Sequence, residues 1–600
     1  MYQPLSGMMT SKVPQMNITP HWAPAGKARL TWMVVCWVLV SIFSNDVLAQ
    51  DTPIFSHREI FHPIYAEHGM VVSQEAMATR VGVDILKAGG NAIDAAVGVG
   101  FALAVTLPQA GNLGGGGFLL IYHVEKNAAM ALDYREVAPA AALPQMFLDE
   151  EGTVDQSRLR FSHQSVGVPG TVAGLVEALE AHGTLSLPEV LAPAIRLARE
   201  GIIVSPDLAM AIQEHATQLS QWPSTRRIFF QADGTPYRPG DRLIQNELAW
   251  SLQQISEQGP GAFYDGPIAE RVTAGMRAHG GLITKEDLRR YRAIWRKPVR
   301  GTYRGYDIVS MPPPSSGGVH LIQMLNILEH EPMKTFGHNS ARSIHWLVES
   351  MKLAYADRSR WLGDPEYVPV PVQGLISKAY AKVLHAAIDP QKARPSSSIQ
   401  PSNLLPYEGR DTTHFSVMDK DGNVVSNTYT INFSFGSGIV AEGTGILLNN
   451  EMDDFVAKPG TPNAYGLMGS TANAIEPGKR PLSSMTPTLV LHKGKPFLAT
   501  GSPGGSHIIT TTLQIIVNVI DHDMNLASAT AAPRVHHQWM PDKVRVEHGV
   551  SPDTLAILEQ RGHTITLEEA MGGAQSILKG PQGFYGASDP RKPDSLAAGY

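Results

Sequence analysis

The chain has 600 residues, of which 43% are hydrophobic and 17% are charged, and its formal net charge is −6. This composition is typical of a globular protein and excludes an extended disordered chain. The mild negative charge gives no electrostatic reason to expect nucleic-acid binding.

The N-terminal region has the layout of a secretory signal peptide. Basic residues precede an apolar run at residues 30–43, and Val47-Leu48-Ala49 offers a small-residue cleavage site. The run is short for a membrane span, and an uncleaved anchor is the alternative. We predict that residues 1–49 are removed and that the mature protein is exported, to the periplasm or beyond, with no stable membrane span.

The only cysteine, Cys36, lies inside this predicted signal peptide. The mature chain would therefore have no disulfide, no cysteine nucleophile and no cysteine metal ligand. The sequence also has no G-x-S-x-G elbow, no H-E-x-x-H motif and no P-loop. Serine-esterase, zincin and NTPase functions therefore lose their usual support.

The first predicted elements are two consecutive helices. Ser73 is the predicted N-cap of the first, with Glu75 in its first turn, and Asn91 is the predicted N-cap of the second. The second helix is apolar on all sides, which predicts that it is buried. The glycine block at residues 114–117 then leads into a strand, and it indicates a tight turn where backbone approaches backbone.

Further along the chain, helices are predicted at residues 188–199 and 340–358. A stretch rich in Ser and Pro at residues 389–411 indicates an exposed linker. Beyond it, alternating patterns predict two hairpins with turns at Asp421-Gly422 and Lys493-Gly494. Periodicity alone therefore predicts a mixed α and β body.

A Thr-Thr pair stands where the linker meets a predicted strand, in the order Asp411-Thr412-Thr413. An internal threonine hydroxyl is a poor nucleophile, whereas an N-terminal threonine has its own α-amine as a base. Attack of the hydroxyl on its own preceding carbonyl, followed by hydrolysis of the resulting ester, would expose that amine without a protease. Threonine is also common in strands, so the pattern alone leaves both interpretations open.

Several longer motifs occur in a fixed order between about Glu67 and Tyr600. They include "GNLGGGGF", "LDYREVAP", "VGVPGTVAG", "DTTHFSVMDKDGNVVSNTYTINF", "KRPLSSMTPT", "GSPGGSHIIT" and "GASDPRKPD". Together they strongly resemble the γ-glutamyltransferase (glutathione hydrolase) family. The resemblance implies an α+β N-terminal nucleophile hydrolase, a four-layer αββα sandwich with two stacked, mainly antiparallel sheets. It also implies a precursor cut into a large chain, residues 50–411, and a small chain, residues 412–600, which together form one fold.

The resemblance further implies roles for individual residues. Thr412 matches the nucleophile released by cleavage after Asp411, and Thr430 matches its hydrogen-bond partner. Gly504 and Gly505 match the oxyanion hole. The implied substrate-binding residues are Arg135, Ser483 and Ser484 for the α-carboxylate, Asn432, Glu451 and Asp454 for the α-ammonium, and Tyr465 in a lid at residues 457–474.

These roles have structural alternatives. Arg135 could form a salt bridge to Glu136, Thr430 could be an ordinary strand residue, and Tyr465 could be an exposed loop residue. At the position of Glu451, this chain departs from the many bacterial members of the family that have Gln there.

The implied activity is cleavage of the γ-glutamyl amide of glutathione and related compounds through a γ-glutamyl-Thr412 ester. Water or an amino acid or dipeptide acceptor would then take the acyl group, and the implied reaction needs neither a metal nor an organic cofactor. A cephalosporin or glutaryl acylase of the same fold is the nearest alternative, although Arg135, Asp454 and the lid suit an amino-acid head. An exported binding protein that never matures is the alternative from another class.

We predict that the purified protein consists of two chains, the smaller of which begins at Thr412. Thr412→Ala should leave one uncut precursor, because the attacking hydroxyl is gone. A denaturing gel and N-terminal sequencing of the small chain check this. A small chain that begins at Thr413 would assign the nucleophile to a different residue.

Overall fold

The computed structural model describes residues 59–399, 412–458 and 470–600. The predicted signal peptide, Asp411 and Tyr465 lie outside the described residues. Among the helices in the described ranges, none combines the length and the apolar character needed to cross a membrane.

The strands of the described ranges are, in chain order, β1 Ile64–Ala66, β2 Met70–Ser73, β3 Gly116–His123, β4 Ala128–Tyr134, β5 Ile202–Ile203, β6 Arg242–Leu243, β7 Ile294–Arg296, β8 Val299–Tyr303, β9 Tyr306–Ser310, β10 Thr412–Met418, β11 Val424–Thr430, β12 Val440–Ala441, β13 Ile446–Leu447, β14 Thr488–His492, β15 Lys495–Thr500, β16 Val535–His536, β17 Val544–Glu547, β18 Ile565–Glu568, β19 Gln575–Lys579, β20 Phe584–Ser588 and β21 Leu596–Gly599.

The α-helices of the same ranges are Ala76–Lys87, Ala92–Thr106, Gln156–Phe161, Thr171–His182, Leu187–Glu200, Pro206–Glu214, Ala216–Leu219, Pro223–Phe229, Asn246–Gln258, Gly261–Tyr264, Pro267–Ala278, Lys285–Arg290, Gly317–Leu328, Met333–Phe336, Ala341–Trp361, Val372–Leu375, Lys378–Ala386, His507–Ile520, Leu526–Ala531 and Pro552–Gln560.

Two seven-stranded sheets dominate the described part of the chain. Sheet I has the strand order β1-β20-β19-β15-β14-β9-β8, and sheet II has the order β21-β2-β10-β11-β3-β4-β7. The neighbouring strands paired within both sheets run antiparallel. The predicted antiparallel sheets are therefore present.

The two sheets pack face to face, and helices cover both outer faces. Apolar side chains from both sheets form the central layer, among them Val72, Phe118, Leu120, Val309, Leu489 and Ile577. The outer face of sheet II packs against helices that include Ala92–Thr106 and Thr171–His182. The outer face of sheet I packs against Gly317–Leu328, Ala341–Trp361 and His507–Ile520. Burial of an apolar face on each side of each sheet produces the four layers.

The first two helices test the predicted caps. Asn91 caps Ala92–Thr106 in a capping box with Asp94, and every residue of that helix is buried, as predicted. The prediction for Ser73 is wrong, because it is the last residue of β2. Glu75 caps Ala76–Lys87 instead, and its carboxylate accepts hydrogen bonds from the next turn.

The remaining predicted helices and hairpins are confirmed within a few residues, whereas residues 400–411 of the predicted linker and residues 459–469 of the predicted lid lie outside the described residues. The helices predicted at 188–199 and 340–358 are Leu187–Glu200 and Ala341–Trp361. The two hairpins are β10–β11 and β14–β15.

The glycine block before β3 is packed against other backbone, as its composition predicts. A Cβ at Gly115 would lie 2.1 Å from the carbonyl oxygen of Thr430, and one at Gly114 would lie 2.1 Å from the carbonyl oxygen of Leu447. Side chains cannot fit at such distances. The block therefore allows the chain around Thr430 to approach the start of β3.

We predict that Gly115→Ala lowers the unfolding temperature by several degrees and slows cleavage into two chains. Overpacking of this kind costs about 1–3 kcal/mol, because the Thr430 backbone must move. Gly275→Ala is the matched control, since no atom lies within 4 Å of its added Cβ. That helical substitution should leave stability unchanged or raise it by about 0.5–1 kcal/mol. Thermal unfolding measures both, and equal effects would contradict the packing explanation.

Candidate active site

Strand register in sheet II determines what surrounds Thr412. Thr412 lies opposite Thr430 in the β10–β11 pair, and Thr430 lies opposite Gly116 in the β11–β3 pair. In the next pair, Gly117 lies opposite Tyr134, the last residue of β4. The residue that follows β4 is therefore at the same end of the sheet as Thr412.

The two threonine hydroxyls are in hydrogen-bond contact. Thr412 Oγ1 donates to Thr430 Oγ1 at 3.3 Å, and the backbone N–H of Asn432 donates to the same Thr430 oxygen at 2.8 Å. Asn432 has a positive φ of 75°, and its amide donates to the carbonyl oxygen of Asn450 at 3.0 Å. Asparagine tolerates this left-handed backbone better than most residues. The turn after β11 thus holds Thr430 against Thr412.

Arg135 lies just after β4 and is completely buried. Its two terminal nitrogens bind Glu451 and Asp454, and Glu136 is 3.5 Å away. Its Nε donates to the carbonyl oxygen of Pro481 at 3.4 Å. The predicted alternative of a salt bridge to Glu136 is therefore present, but the two carboxylates of the Glu451–Asp454 turn lie closer.

Three buried carboxyl groups share the one Arg135 guanidinium. Burial raises the pKa of Glu451 and Asp454, which Arg135 counteracts only in part. Burial also raises the pKa of Glu136 to about 7. Burial opposes the charge of Arg135, but the nearby carboxylates raise its pKa, so it stays cationic. The cluster therefore has an excess of acidic groups that an additional cation would stabilise.

The carboxylates also have unused acceptor capacity. Within the described ranges, neither Glu451 Oε2 nor Asp454 Oδ1 has a hydrogen-bond partner. Buried polar atoms are normally satisfied, and an exception points to a ligand or to a strained site.

Ser483 and Ser484 lie in the loop that precedes β14. The backbone N–H of Ser483 donates to the carbonyl oxygen of Pro314 at 2.9 Å. The Ser483 hydroxyl accepts from the N–H of Met485 at 3.1 Å. Asn473 connects this loop to the Glu451–Asp454 turn. Its side chain donates to the Asp454 carbonyl oxygen and accepts from the Leu482 N–H.

Gly504 and Gly505 form the turn that leads into the helix His507–Ile520. Their φ angles are 121° and 55°, which only glycine adopts readily. The turn therefore places backbone at the N-terminal end of a 14-residue helix, where N–H groups and the helix dipole favour negative charge.

Most of the predicted site residues line one small cavity of about 20 Å³. It is lined by Arg135, Arg358, Thr412, Thr430, Glu451, Asp454, Leu482, Ser483, Ser484, Met485, Gly505 and Ile508. Of the remaining predictions, Gly504 adjoins Gly505, and Asn432 is connected through Thr430.

Arg358 is the charged residue of this cavity that sequence reasoning missed; the other lining residues it did not name, Leu482, Met485 and Ile508, are apolar. Arg358 lies in the last turn of the helix Ala341–Trp361 and is 4% exposed. It continues the buried stripe that includes Met351 and Tyr355. A charged residue on an apolar helix face is the signal that could have found it.

One group of potential metal ligands lies elsewhere, at His345, Glu349 and His563. His345 Nδ1 and His563 Nε2 share a hydrogen bond of 2.8 Å, and Lys352 donates to Glu349 at 2.9 Å. The adjacent ammonium group opposes cation binding, and the hydrogen bonds account for the geometry.

The gamma-glutamyltranspeptidase family model matches residues 78–599. The chain is 56% identical to the glutathione hydrolase proenzyme of Escherichia coli strain K12 over 543 residues, 90% of this chain and 93% of that protein. The cephalosporin acylase structure from Bacillus halodurans matches with a TM-score of 0.79 at 30% identity, covering 92% of this chain and 98% of that chain. The gamma-glutamyltranspeptidase structure from Helicobacter pylori has a TM-score of 0.55 at 44% identity and covers 57% of this chain and 97% of that chain.

The fold and these matches define the chain as an N-terminal nucleophile hydrolase. It belongs to the gamma-glutamyltranspeptidase family. The family, the fold class and the enzyme class predicted from the sequence are confirmed.

The raised pKa of Glu136 predicts a pH-dependent stability difference. The folded protein holds the Glu136 proton up to about pH 7, whereas an exposed glutamate loses it near 4.5. Wild-type stability therefore falls as the pH rises between these values, because the folded state binds more protons. Glu136→Gln lacks this titration, so its unfolding temperature relative to wild type should be higher at about pH 8 than at about pH 5.

Thermal unfolding of the two-chain protein at both pH values measures this difference. Glu125→Gln, which removes an exposed carboxylate between β3 and β4, is the matched control. A Glu136→Gln difference that does not change with pH would show that Glu136 does not contribute this titration.

Proposed function

We propose that the chain is a self-processing γ-glutamyl hydrolase and transferase that acts on glutathione and related γ-glutamyl compounds. The observation that supports this most directly is the single cavity lined by Thr412, Arg135 and Asp454. It combines a nucleophile with both charges needed to bind an amino-acid head. The 56% identity to a glutathione hydrolase proenzyme agrees with this assignment.

The proposed maturation begins with attack of Thr412 Oγ1 on the carbonyl carbon of Asp411. The peptide nitrogen leaves as the α-amine of Thr412, and an ester joins the two residues. Water then hydrolyses that ester, which releases the large chain at Asp411 and regenerates the hydroxyl. The hydrogen bond to Thr430 would hold the Thr412 side chain in position during these steps.

In the mature enzyme, the α-amine of Thr412 takes the proton of its own hydroxyl as the hydroxyl attacks the γ-carbonyl carbon. The negative charge that develops on the carbonyl oxygen is stabilised by backbone N–H groups at Gly504 and Gly505. The amine part, cysteinylglycine in the case of glutathione, leaves with a proton. A γ-glutamyl-Thr412 ester remains, and water or an amino acid or dipeptide takes the acyl group in the second half of a ping-pong reaction.

The amino-acid head fits the charges around Arg135. The substrate carboxylate would bind the Arg135 guanidinium in a paired, planar contact. The substrate ammonium would bind Glu451 and Asp454, which have unused acceptor atoms. The present cavity has room for about one water molecule, so this exchange of partners must accompany entry of the glutamyl group.

Several parts of this proposal rest on the sequence resemblance. We propose that residues 1–49 are a signal peptide, that the enzyme is exported and works in the periplasm, and that residues 50–411 and 412–600 are the two chains. Tyr465 would close over the bound glutamyl group. No step requires a metal or an organic cofactor.

Asp454→Asn tests whether the site selects a γ-glutamyl head. Loss of one partner from a buried charge pair costs about 2–5 kcal/mol. We therefore expect kcat/KM for a γ-glutamyl anilide to fall by about 30- to 5000-fold. A glutaryl anilide, which lacks the α-amino group, should be a poor substrate of wild type and lose little more in the variant.

The two anilides serve as each other's control. Equal losses on both would mean that Asp454 supports the fold, and an efficient wild-type reaction with the glutaryl anilide would favour an acylase. Glutathione cleavage with and without glycylglycine tests the activity itself. Release of glutamate and formation of γ-glutamylglycylglycine are the expected products.

A further inference from the structure

The cavity contains a second buried guanidinium, that of Arg358, for which the reaction scheme has no role. Arg358 and Arg135 reach the same space from different layers, the first from a helix outside sheet I and the second from the end of β4. Within the described ranges, no carboxylate lies at salt-bridge distance from Arg358. Burial lowers its pKa to about 10, so it is still cationic at neutral pH.

The hydrogen bonds of Arg358 have a fixed direction. Its Nε donates to Ser316 Oγ at 2.9 Å and its Nη2 donates to Ser484 Oγ at 3.2 Å. A guanidinium has no acceptor, so both hydroxyl oxygens must accept. The proton of each serine hydroxyl is then directed to another group.

The two serines use that proton differently. Ser316 donates to the carbonyl oxygen of Ser483 at 2.8 Å. This bond connects Arg358 to the loop before β14 that carries Ser483 and Ser484, called the serine loop below. No described residue accepts the proton of the Ser484 hydroxyl. Ser484 is therefore arranged as a donor toward the cavity.

We propose that Arg358 is a positioning residue for the substrate α-carboxylate, acting through the Ser484 hydroxyl. This inference rests on the proposed γ-glutamyl function. Arg358 fixes Ser484 as a donor, and its unbalanced charge makes the carboxylate end of the cavity positive. Arg135 lies at the same end, and Glu451 and Asp454, which have unused acceptor atoms, would bind the substrate ammonium, so the cavity offers a partner to each charge of an amino-acid head.

A purely structural role is the competing explanation, because Arg358 also joins a helix to the serine loop. A structural residue would affect cleavage into two chains, or every kinetic constant alike. A positioning residue acts on substrate affinity, and its effect disappears when Ser484 has no hydroxyl. A double-mutant cycle distinguishes these outcomes.

The cycle compares wild type, Arg358→Met, Ser484→Ala and the double variant with L-γ-glutamyl-4-nitroanilide as substrate. We expect each single variant to raise KM by about 10-fold or more, the typical effect of losing a charge-assisted hydrogen bond. The double variant should raise KM by much less than the product of the two single effects. Arg360→Met is the matched control, since Arg360 is exposed on the same helix end, and its KM should equal that of wild type.

Two related substrates locate the effect on the ligand. Arg358→Met should raise the KM for glutaryl-4-nitroanilide, which keeps the carboxylate. It should leave the KM for 4-aminobutyryl-4-nitroanilide unchanged, because that substrate keeps only the ammonium. Multiplicative effects in the cycle, an unchanged KM in Arg358→Met, or equal losses on all substrates would overturn the proposal.

Folding is checked by the two-band pattern on a denaturing gel. If Arg358→Met accumulates as uncut precursor, Arg358→Lys decides, because lysine keeps the charge but cannot reach both serines as a fork. It should mature and raise KM by a smaller factor, and an uncut or wild-type-like Arg358→Lys would overturn the proposal. Wild type that does not cleave the γ-glutamyl anilide would refute the proposed function itself, whereas active wild type with unaffected variants would refute only the role of Arg358.

Discussion

The antiparallel register of β10, β11 and β3 is the constraint on which the rest of the site depends. It aligns Thr412, Thr430 and Gly116 in one row across sheet II. Because side chains alternate between the faces of a strand, a shift of one residue would turn Thr412 to the opposite face. The glycine block before β3 permits this register, since the backbone around Thr430 packs directly against it. Thr412, the proposed nucleophile, is therefore held by the backbone hydrogen bonds of a sheet and not by a flexible loop.

The charges around Arg135 are the second level of organisation. The attraction within a buried ion pair often recovers only part of the hydration free energy that its two charges lose. Removing one partner then destabilises the protein strongly, because the other charge stays buried without a partner. A zwitterion that enters between Arg135 and Asp454 gives each of them a new partner, so no charge is left unpaired. A ligand without the ammonium would pair with Arg135 and leave Asp454 buried without a counter-charge. In the proposed binding mode, selectivity for an amino-acid head would thus arise from a penalty on incomplete ligands as well as from attraction.

Local sequence patterns predicted the elements well where one physical effect dominates. The buried helix after Asn91 and the hairpin turn at Asp421-Gly422 are examples, because capping, hydrophobicity and turn chemistry all agree there. Ser73 failed as a cap because its backbone is paired in a strand, and Glu75 provided the acceptor instead. Both residues have side chains that can cap a helix, and only the pairing of Ser73 in a strand determined which of them does so.

The sequence predicted those site residues that lie within the motifs shared with the family. The group from Thr412 to Asp454 was found through resemblance, but the direct contacts of Arg135 with Glu451 and Asp454 depend on side-chain packing that spacing does not reveal. Arg358 was missed because it belongs to none of the quoted motifs and lies 54 residues before Thr412. Its position follows from how a helix packs on sheet I, which is a tertiary property.

Strands of the two proposed chains alternate within both sheets, and this limits how the protein can refold after cleavage. In sheet II, β10 and β11 of the proposed small chain lie between β2 and β3 of the large chain, and in sheet I, β14, β15, β19 and β20 lie between β1 and β9. The proposed cleavage breaks the covalent link between the large and small chains, but hydrogen bonds in both sheets still join them. The two chains therefore cannot separate unless both sheets are disrupted. The linker keeps these strands in one molecule while they pair, and after its scission that intramolecular advantage is lost. The precursor is therefore the species that must fold, and a mature molecule that unfolds would have to find its partner again by diffusion.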